Sequence, residues 1–181
     1  MRVITGTARG RRLKELQGAD TRPTTDRVKE ALFSIIQFDI EGRRVLDLFS
    51  GTGQLGIEAL SRGAAHCTFI DTRTESVSLI RENLQLTGLS DRALVRQIDF
   101  SAFLSVCREK FDLMFLDPPY QSPFLEKALD LVQGIDIMTE NGIIICESPV
   151  EKQLPVMAPP YGKEKEYRYG KIKLTKYTRS V

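Results

Sequence analysis

The sequence predicts an α/β fold built on one mostly parallel sheet, with helices on both faces and a small β-hairpin at the N-terminus. Short apolar segments alternate with longer segments of helical period along most of the chain, which is the pattern of repeated strand–helix–strand units. A glycine-rich loop joins the first of these strands to the next helix. The 181 residues, 41% of them hydrophobic, are enough for one core, so a single domain is expected.

The N-terminal elements come before the sheet. Residues 2–16 are predicted to form the hairpin, because short β-favouring runs flank a turn at 8–11 that contains Gly10. A cluster at 22–26, which ends in Thr-Thr-Asp, is typical of a helix start. The apolar residues that follow have helical spacing: Val28, Leu32, Ile35 and Ile36.

The sheet is predicted from the remaining apolar segments. Strands are expected at 45–49, 67–71, 93–98, 111–117 and 142–147, and helices near 54–62, 74–88, 101–109 and 122–133. Residues 165–169 and 172–178 flank Gly170 and are predicted to pair as a closing antiparallel hairpin. The proline-rich residues 149–163 are expected to form a loop.

The loop after the first strand predicts a nucleoside-containing cofactor. Gly51, Gly53 and Gly56 have the G-x-G-x-x-G spacing, and Asp71 follows 20 residues after the first glycine, where an acid meets ribose hydroxyls. The same pattern fits a nicotinamide dinucleotide. However, a carboxylate at Asp47 would repel a pyrophosphate and attract the ammonium group of a methionine moiety. S-adenosylmethionine is therefore the predicted cofactor.

Several acidic residues stand at the ends of predicted strands: Asp47, Asp71, Asp99 and Asp117. Because ligands of such sheets bind at the carboxyl ends of the strands, these residues are expected to line one cleft. Asp99 and Phe100 are predicted to bond the adenine amino group and to pack against its ring. Gly51, Gly53 and Leu55 are the predicted cofactor contacts of the loop.

The tetrapeptide Asp117-Pro118-Pro119-Tyr120 is the predicted catalytic segment. The two prolines have no N–H donor, so they end strand pairing and leave carbonyl oxygens available as acceptors. The Asp117 carboxylate and the Pro118 carbonyl together can accept both hydrogens of an amino group, and the Tyr120 ring offers a face for a planar base. The segment therefore predicts chemistry on an exocyclic nitrogen of a base.

The charge distribution predicts a nucleic-acid partner. The net charge is only +2, but residues 1–14 carry five cations and no acid, and residues 163–179 carry seven cations and two acids. Each end is thus +5 and the remainder of the chain is −8. Two basic segments around an acidic body favour binding of backbone phosphates, with Arg9, Arg11 and Arg12 as expected contacts.

Other classes of protein are disfavoured. The N-terminus has no apolar segment of a signal peptide, and no apolar run has membrane-spanning length, so a cytoplasmic protein without a membrane partner is expected. The three cysteines are far apart and the chain has a single histidine, so no metal site is expected.

The motifs together resemble a known family. The glycine loop and the Asp117-Pro118-Pro119-Tyr120 segment are similar to two motifs of the S-adenosylmethionine-dependent amino-methyltransferases. Residues 6–11 (GTARGR), 22–30 (RPTTDRVKE) and 60–64 (LSRGA) resemble the RsmD family, the 16S ribosomal RNA guanine-N2 methyltransferases. The similarity covers nearly the whole chain, and Asp71 stands where the family often has Glu.

The resemblance implies a doubly wound, Rossmann-like sheet of seven strands with the last strand antiparallel. It also implies a cofactor site at Gly51 and Gly53, a target guanine at 117–120, and a wall of the substrate site near Arg22 and Thr24. A single methyltransferase domain, 1–181, is expected, with residues 1–40 as an RNA-binding extension and 41–181 as the catalytic core. The expected partner is ribosomal RNA, free or within a small-subunit particle, and the protein is expected to be a monomer.

Three alternatives remain open from the sequence. A DNA adenine-N6 methyltransferase uses the same tetrapeptide, although 181 residues leave little room for a target-recognition region. A nicotinamide-dependent oxidoreductase has the same glycines, but Asp47 and the absence of an obvious proton donor disfavour it. The third alternative is an RNA-binding assembly factor that keeps the fold without catalysis.

Overall fold

The computed structural model describes residues 1–16 and 25–181, so the predicted contacts Arg22 and Thr24 lie outside the described residues. Its helices are α1 (Asp26–Ile35), α2 (Gln54–Ser61), α3 (Thr74–Thr87), α4 (Phe100–Val106) and α5 (Phe124–Ile135), with a short 3₁₀ helix at Ser90–Arg92. The strands are β1 (Arg44–Asp47), β2 (His66–Asp71), β3 (Ala93–Gln97), β4 (Phe111–Leu116), β5 (Met138–Pro149), β6 (Tyr161–Tyr169) and β7 (Ile172–Arg179).

All of these strands form one sheet in the order β3-β2-β1-β4-β5-β7-β6. Strands β1 to β5 run parallel to one another, and β7 runs antiparallel to both of its neighbours. The predicted doubly wound sheet with an antiparallel last strand is therefore confirmed. The order reverses between β1 and β4, which is the point where open α/β sheets bind their ligands.

The sheet separates two hydrophobic cores, because successive residues of a buried strand point to opposite faces. One face is covered by α1, α2 and α3 and buries Val45, Phe115 and Ile145. The other face is covered by α4 and α5 and buries Leu46, Met114 and Ile144. None of the helices in the described ranges combines the length and the apolar composition that crossing a bilayer requires.

The predicted N-terminal hairpin is present and packs directly on the sheet domain. The Val3 amide donates to the Arg11 carbonyl and the Gly10 amide donates to the Val3 carbonyl, both at 2.9 Å. Ala8 is buried, and its amide donates to Ser61 Oγ at the end of α2 at 3.0 Å. The hairpin and the core thus share one hydrophobic cluster, to which Val3, Ala8 and Leu13 belong.

The strands near the C-terminus are longer than predicted. β5 begins at Met138 rather than at 142, and β6 begins at Tyr161, so the predicted 149–163 loop is reduced to 150–160. Two of the four added residues of β6, Lys163 and Glu164, are charged, because β6 is the exposed edge of the sheet, where charged side chains are common and apolar patterning is weak. Helix α4 is shorter than predicted and ends at Val106.

Candidate active site

The carboxyl ends of the parallel strands meet at one edge and bring the predicted acidic residues together. Asp47 and Asp71 end β1 and β2, while Asp99 and Asp117 follow β3 and β4. The strands between them are directly paired, β3 to β2, β2 to β1 and β1 to β4. The four predicted acids therefore lie along the carboxyl edge of four adjacent strands.

Each of the three glycines of the loop, Gly51, Gly53 and Gly56, has different surroundings in the structure. Gly51 and Gly53 have positive φ angles, +55° and +80°, which favour glycine. A Cβ on Gly51 would meet no atom of residues 1–16 and 25–181 within 4 Å, so the described residues leave space beside this part of the loop. A Cβ on Gly53 would lie 3.2–3.3 Å from Ile80 and Ile57, and Gly53 therefore faces the protein. The room for a ligand is at Gly51.

Gly56 allows α2 to lie close to the sheet. A Cβ at this position would come within 2.3 Å of the Phe69 ring and 2.7 Å of Cys67 Sγ, both on β2. This is the close helix–strand packing that the third glycine of such loops provides. Leu55 precedes it in the first turn of α2, where the side chain is buried in the core.

The carboxylates of Asp71 and Asp47 both hold the loop in place. Asp71 Oδ2 accepts from the Gly51 amide and Asp71 Oδ1 accepts from the Arg73 amide, each at 2.9 Å. Asp47 is only 2% exposed, and its Oδ2 accepts from the Gly56 amide at 3.2 Å. Burial raises the pKa of Asp47 to about 7, so near neutral pH a nearby cation would favour its charged form.

Asp99 and Phe100 start α4 at the next strand end. Asp99 caps the helix, since its Oδ1 accepts from the Ser101 hydroxyl and from the Ser101 and Ala102 amides. These bonds, the hydroxyl first, lower the pKa of Asp99. Phe100 is buried, with its ring centroid 4.9 Å from that of Phe49 and 5.3 Å from that of Phe124. An aromatic wall therefore borders this end of the cleft.

Asn83 of α3 is a buried residue of this region that the sequence did not point to. Its side-chain amide donates to the Thr52 carbonyl of the glycine loop at 3.0 Å and to the Lys14 carbonyl at 3.1 Å, and its oxygen accepts from the Lys14 amide at 2.8 Å. One side chain thus joins the loop to the end of the N-terminal hairpin. A single Asn within a helical segment carries no distinctive sequence signal.

The Asp117-Pro118-Pro119-Tyr120 segment leaves β4 beside the end of β5. The Pro119 carbonyl accepts from the Ser122 amide and hydroxyl, which closes a turn. No backbone hydrogen bond to the Pro118 carbonyl is found within the described residues, and its role as an acceptor stays a prediction. The Tyr120 hydroxyl donates to Glu147 Oε1 at 2.6 Å.

Glu147 is therefore a further candidate site residue. It lies near the end of β5 and is 3% exposed, next in register after the Leu116–Cys146 pair that precedes Asp117. Its hydrogen bond fixes the hydroxyl end of the Tyr120 ring. The available signal was the same as for the four aspartates, because Glu147 follows the apolar run 143–146.

The predicted RNA contacts of the hairpin are surface residues. Arg9, Arg11 and Arg12 are exposed, and none of them forms an ion pair within residues 1–16 and 25–181. Their placement is compatible with phosphate binding, and the role itself stays a prediction. For Arg22 and Thr24 the structure provides no test.

Comparison with known proteins identifies the family. The family described as Conserved hypothetical protein 95 matches residues 1–178. The Ribosomal RNA small subunit methyltransferase D of Escherichia coli K12 is 34% identical over 182 residues, which cover 100% of this chain and 91% of that protein. YlbH of Bacillus subtilis is 42% identical over 158 residues, 86% of each chain.

A solved structure agrees with the sequence comparison. The protein yhhF of Escherichia coli superposes with a TM-score of 0.90 at 32% identity, covering 99% of this chain and 98% of that one. The match therefore extends over the hairpin, the sheet and both hydrophobic cores. The chain belongs to the Conserved hypothetical protein 95 family, which is the RsmD family of ribosomal RNA small subunit methyltransferases.

Proposed function

We propose that this protein transfers a methyl group from S-adenosylmethionine to the exocyclic N2 of a guanine in 16S ribosomal RNA. The observation that carries the proposal is the Asp117-Pro118-Pro119-Tyr120 segment, which leaves the sheet edge that also holds the glycine loop and anchors Tyr120 on Glu147. The names of the relatives support ribosomal RNA as the substrate. Guanine N2 is proposed as the target atom because of the family resemblance and because the Asp117 carboxylate and the Pro118 carbonyl together can accept both hydrogens of an amino group.

The cofactor region fits S-adenosylmethionine. The open space beside Gly51 can accept the methionine part, and Asp71 lies at the strand end where ribose hydroxyls are bound. The carboxyl of Asp47 is buried beneath the loop, where the ammonium group of a bound methionine part would favour its charged form, while Asp99 and Phe100 border the adenine side. When bound, the cofactor supplies a methyl group activated by a sulfonium.

The residues of the chain then act mainly by orientation. The Asp117 carboxylate and the Pro118 carbonyl accept the two hydrogens of the amino group, which favours a pyramidal nitrogen whose lone pair is available. Tyr120 stacks on the base after it leaves the RNA helix, and Glu147 holds the ring by its hydroxyl. Positioning of this kind can supply roughly 7–11 kcal/mol of the barrier.

Mapping of the methylated product tests the proposed function. Small-subunit particles from a strain without this protein are incubated with the protein and labelled S-adenosylmethionine, and the modified nucleoside is identified by mass spectrometry. N2-methylguanosine at one site in 16S RNA is the expected product. In a parallel incubation with DNA, label in adenine N6 would support the alternative methyltransferase, and cofactor binding without transfer to either substrate would support the assembly factor.

Substitutions in the tetrapeptide test the residue roles. Asp117→Ala is expected to lower the single-turnover rate by at least about 100-fold while cofactor affinity changes little, because the carboxylate contacts the base. Tyr120→Ala should lose roughly 1–3 kcal/mol of base interaction that Tyr120→Phe retains. Since Phe cannot donate to Glu147, it should be slower than the wild type. If Phe were as damaging as Ala, the stacking role would have to be withdrawn.

A further inference from the structure

Most cations at the C-terminal end are used within the protein. Lys163 and Lys173 each lie 3.3 Å from Glu166, and Lys173 is only 1% exposed. Lys176 lies 3.1 Å from Glu164, and Arg179 binds Asp136 with its Nε at 2.7 Å. These four cations stabilise the β6–β7 hairpin, so they contribute little to an external binding surface.

The remaining cations of this end are Lys165, Arg168 and Lys171, which are exposed and have no ion pair in the described parts of the chain. One of them borders a cleft of about 270 Å³. The turn residues 169–172, with Lys171 among them, form one wall, and Thr25, Arg27 and Val28 of the α1 region form the other. Arg27 is likewise exposed and unpaired among the described residues, so two free cations from different elements share the cleft.

The position of Arg27 is unfavourable for the helix itself. It is the second residue of α1, where the partial positive charge of the helix N-terminus disfavours a cation. It has no acidic partner within the described residues that would offset this cost. Arg27 does not stabilise the helix at this position, and a role in ligand binding would explain why a cation is found there.

The cleft lies beside the candidate active site. Ile172, which begins β7, pairs with Pro149 of β5, two residues beyond Glu147. From strand geometry, the Ile172 backbone is roughly 8 Å from that of Glu147. Because Glu147 holds Tyr120, the cleft is next to the expected position of the target base.

We infer that this cleft binds a backbone phosphate of the RNA next to the target nucleotide, through Arg27 and Lys171. The inference rests on the proposed function and adds a second RNA contact, separate from the N-terminal hairpin. The cleft is smaller than the pockets of about 300–1,000 Å³ that hold drug-sized ligands, which suits a phosphate group rather than a whole cofactor. Arg27 and Lys171 bind and position the RNA and take no part in the methyl transfer.

A charge-neutralising double variant tests the inference. The full-length protein with Arg27→Gln and Lys171→Gln is compared with a matched control that carries Lys165→Gln and Arg168→Gln, which removes the same charge outside the cleft. Binding to an unmodified 16S RNA transcript is measured over a range of salt concentrations. Circular dichroism confirms that both variants are folded.

The expected result is a change in the cleft variant only. Its log–log salt slope should fall by about 0.7, since the cleft neutralises one phosphate of single-stranded RNA. Its KM for small-subunit particles should rise while kcat stays within about twofold of the wild type. An unchanged slope, or an equal loss in the control, would overturn the inference and leave the proposed function intact. Failure of the wild type to bind RNA would overturn both.

Discussion

The basic segments at the two ends of the chain, 1–14 and 163–179, carry equal charge, +5 each, and differ in where that charge lies. In the N-terminal hairpin, Arg9, Arg11 and Arg12 point into solvent without ion pairs in the described residues. In the C-terminal hairpin, four of seven cations bind carboxylates of the protein. Equal charge counts therefore correspond to exposed arginines without ion pairs among the described residues at one end and mainly to structural ion pairs at the other.

The way each hairpin is held explains this difference. The N-terminal hairpin is bound through its backbone: Glu58 of α2 accepts from the Ile4 and Thr5 amides at 2.8 and 3.0 Å, and Asn83 bonds both backbone groups of Lys14. Its arginine side chains are thus left for a ligand. The C-terminal hairpin belongs to the sheet edge, and its side chains make the ion pairs between neighbouring positions.

The largest effect is expected from the buried support of the N-terminal hairpin. Glu58 and Lys29 are both fully buried, with Lys29 Nζ 3.8 Å from Glu58 Oε2. Glu58→Gln leaves the Lys29 charge without a buried partner and should lower the free energy of unfolding by about 3–5 kcal/mol. Urea denaturation measures this loss. A loss under about 1 kcal/mol, as for an exposed pair, would mean that the buried network does not hold the hairpin.

The second effect concerns RNA binding without loss of stability. Replacement of Arg9, Arg11 and Arg12 together by Ala should lower the salt slope of RNA binding by up to about three contacts, roughly 2–2.7. The free energy of unfolding should change by less than about 0.5 kcal/mol, because these side chains are exposed and unpaired among the described residues. A salt slope equal to that of the wild type would mean that these arginines do not contact RNA phosphates. The N-terminal end would then bind RNA no more than the ion-paired C-terminal end does.

The third effect is pH-dependent and belongs to the C-terminal end. The Arg179 guanidinium, with Tyr161 and Lys110, holds the pKa of Asp136 below its usual value. Because the folded pKa is lower than the unfolded pKa of about 4, the stabilisation is present above pH 4 and is lost as the pH falls. Asp136→Asn should lower stability by about 1–2 kcal/mol at pH 7.

Denaturation across a pH series checks the sign of this effect. The gap between wild type and Asp136→Asn should narrow progressively as the pH falls below about 4, because the unfolded carboxyl takes up a proton there while the folded one stays ionised down to its own lower pKa. Asn is tolerated at the φ angle of +47° of this position, so backbone strain does not confound the result. If the difference in the free energy of unfolding between wild type and Asp136→Asn grew at acidic pH, the Asp136–Arg179 ion pair would not have the stabilising role given to it here.

The smallest effect is expected at the exposed edge. The Glu164 carboxylate lies 3.1 Å from Lys176 Nζ and is 45% exposed. Glu164→Gln should therefore cost at most about 1 kcal/mol, and RNA affinity should stay within about twofold. Equilibrium unfolding and the same RNA titration provide both values. A marked gain in RNA affinity would show that Lys176 is available to a ligand once Glu164 is neutral.

Sequence reasoning was most successful where the signal is local. The periods of apolar residues located the helices and strands within a few residues, and the four predicted acids do lie at the carboxyl ends of strands. It was less successful at β6, because the charged alternation of an exposed edge strand hides its start at Tyr161. The spacing of the glycines was correct, but only the structure distinguishes Gly51, which borders open space, from Gly53, which faces Ile57 and Ile80.

The sequence by itself determined the fold class and located the glycine loop and the Asp117–Tyr120 segment, because each depends on residues close together in the chain. Only the tertiary structure decided that Glu147 holds Tyr120, that Asn83 joins the hairpin to the loop, and which cations are left exposed. These contacts link residues far apart in sequence. They are set by strand order and by packing across the sheet, which no local pattern encodes.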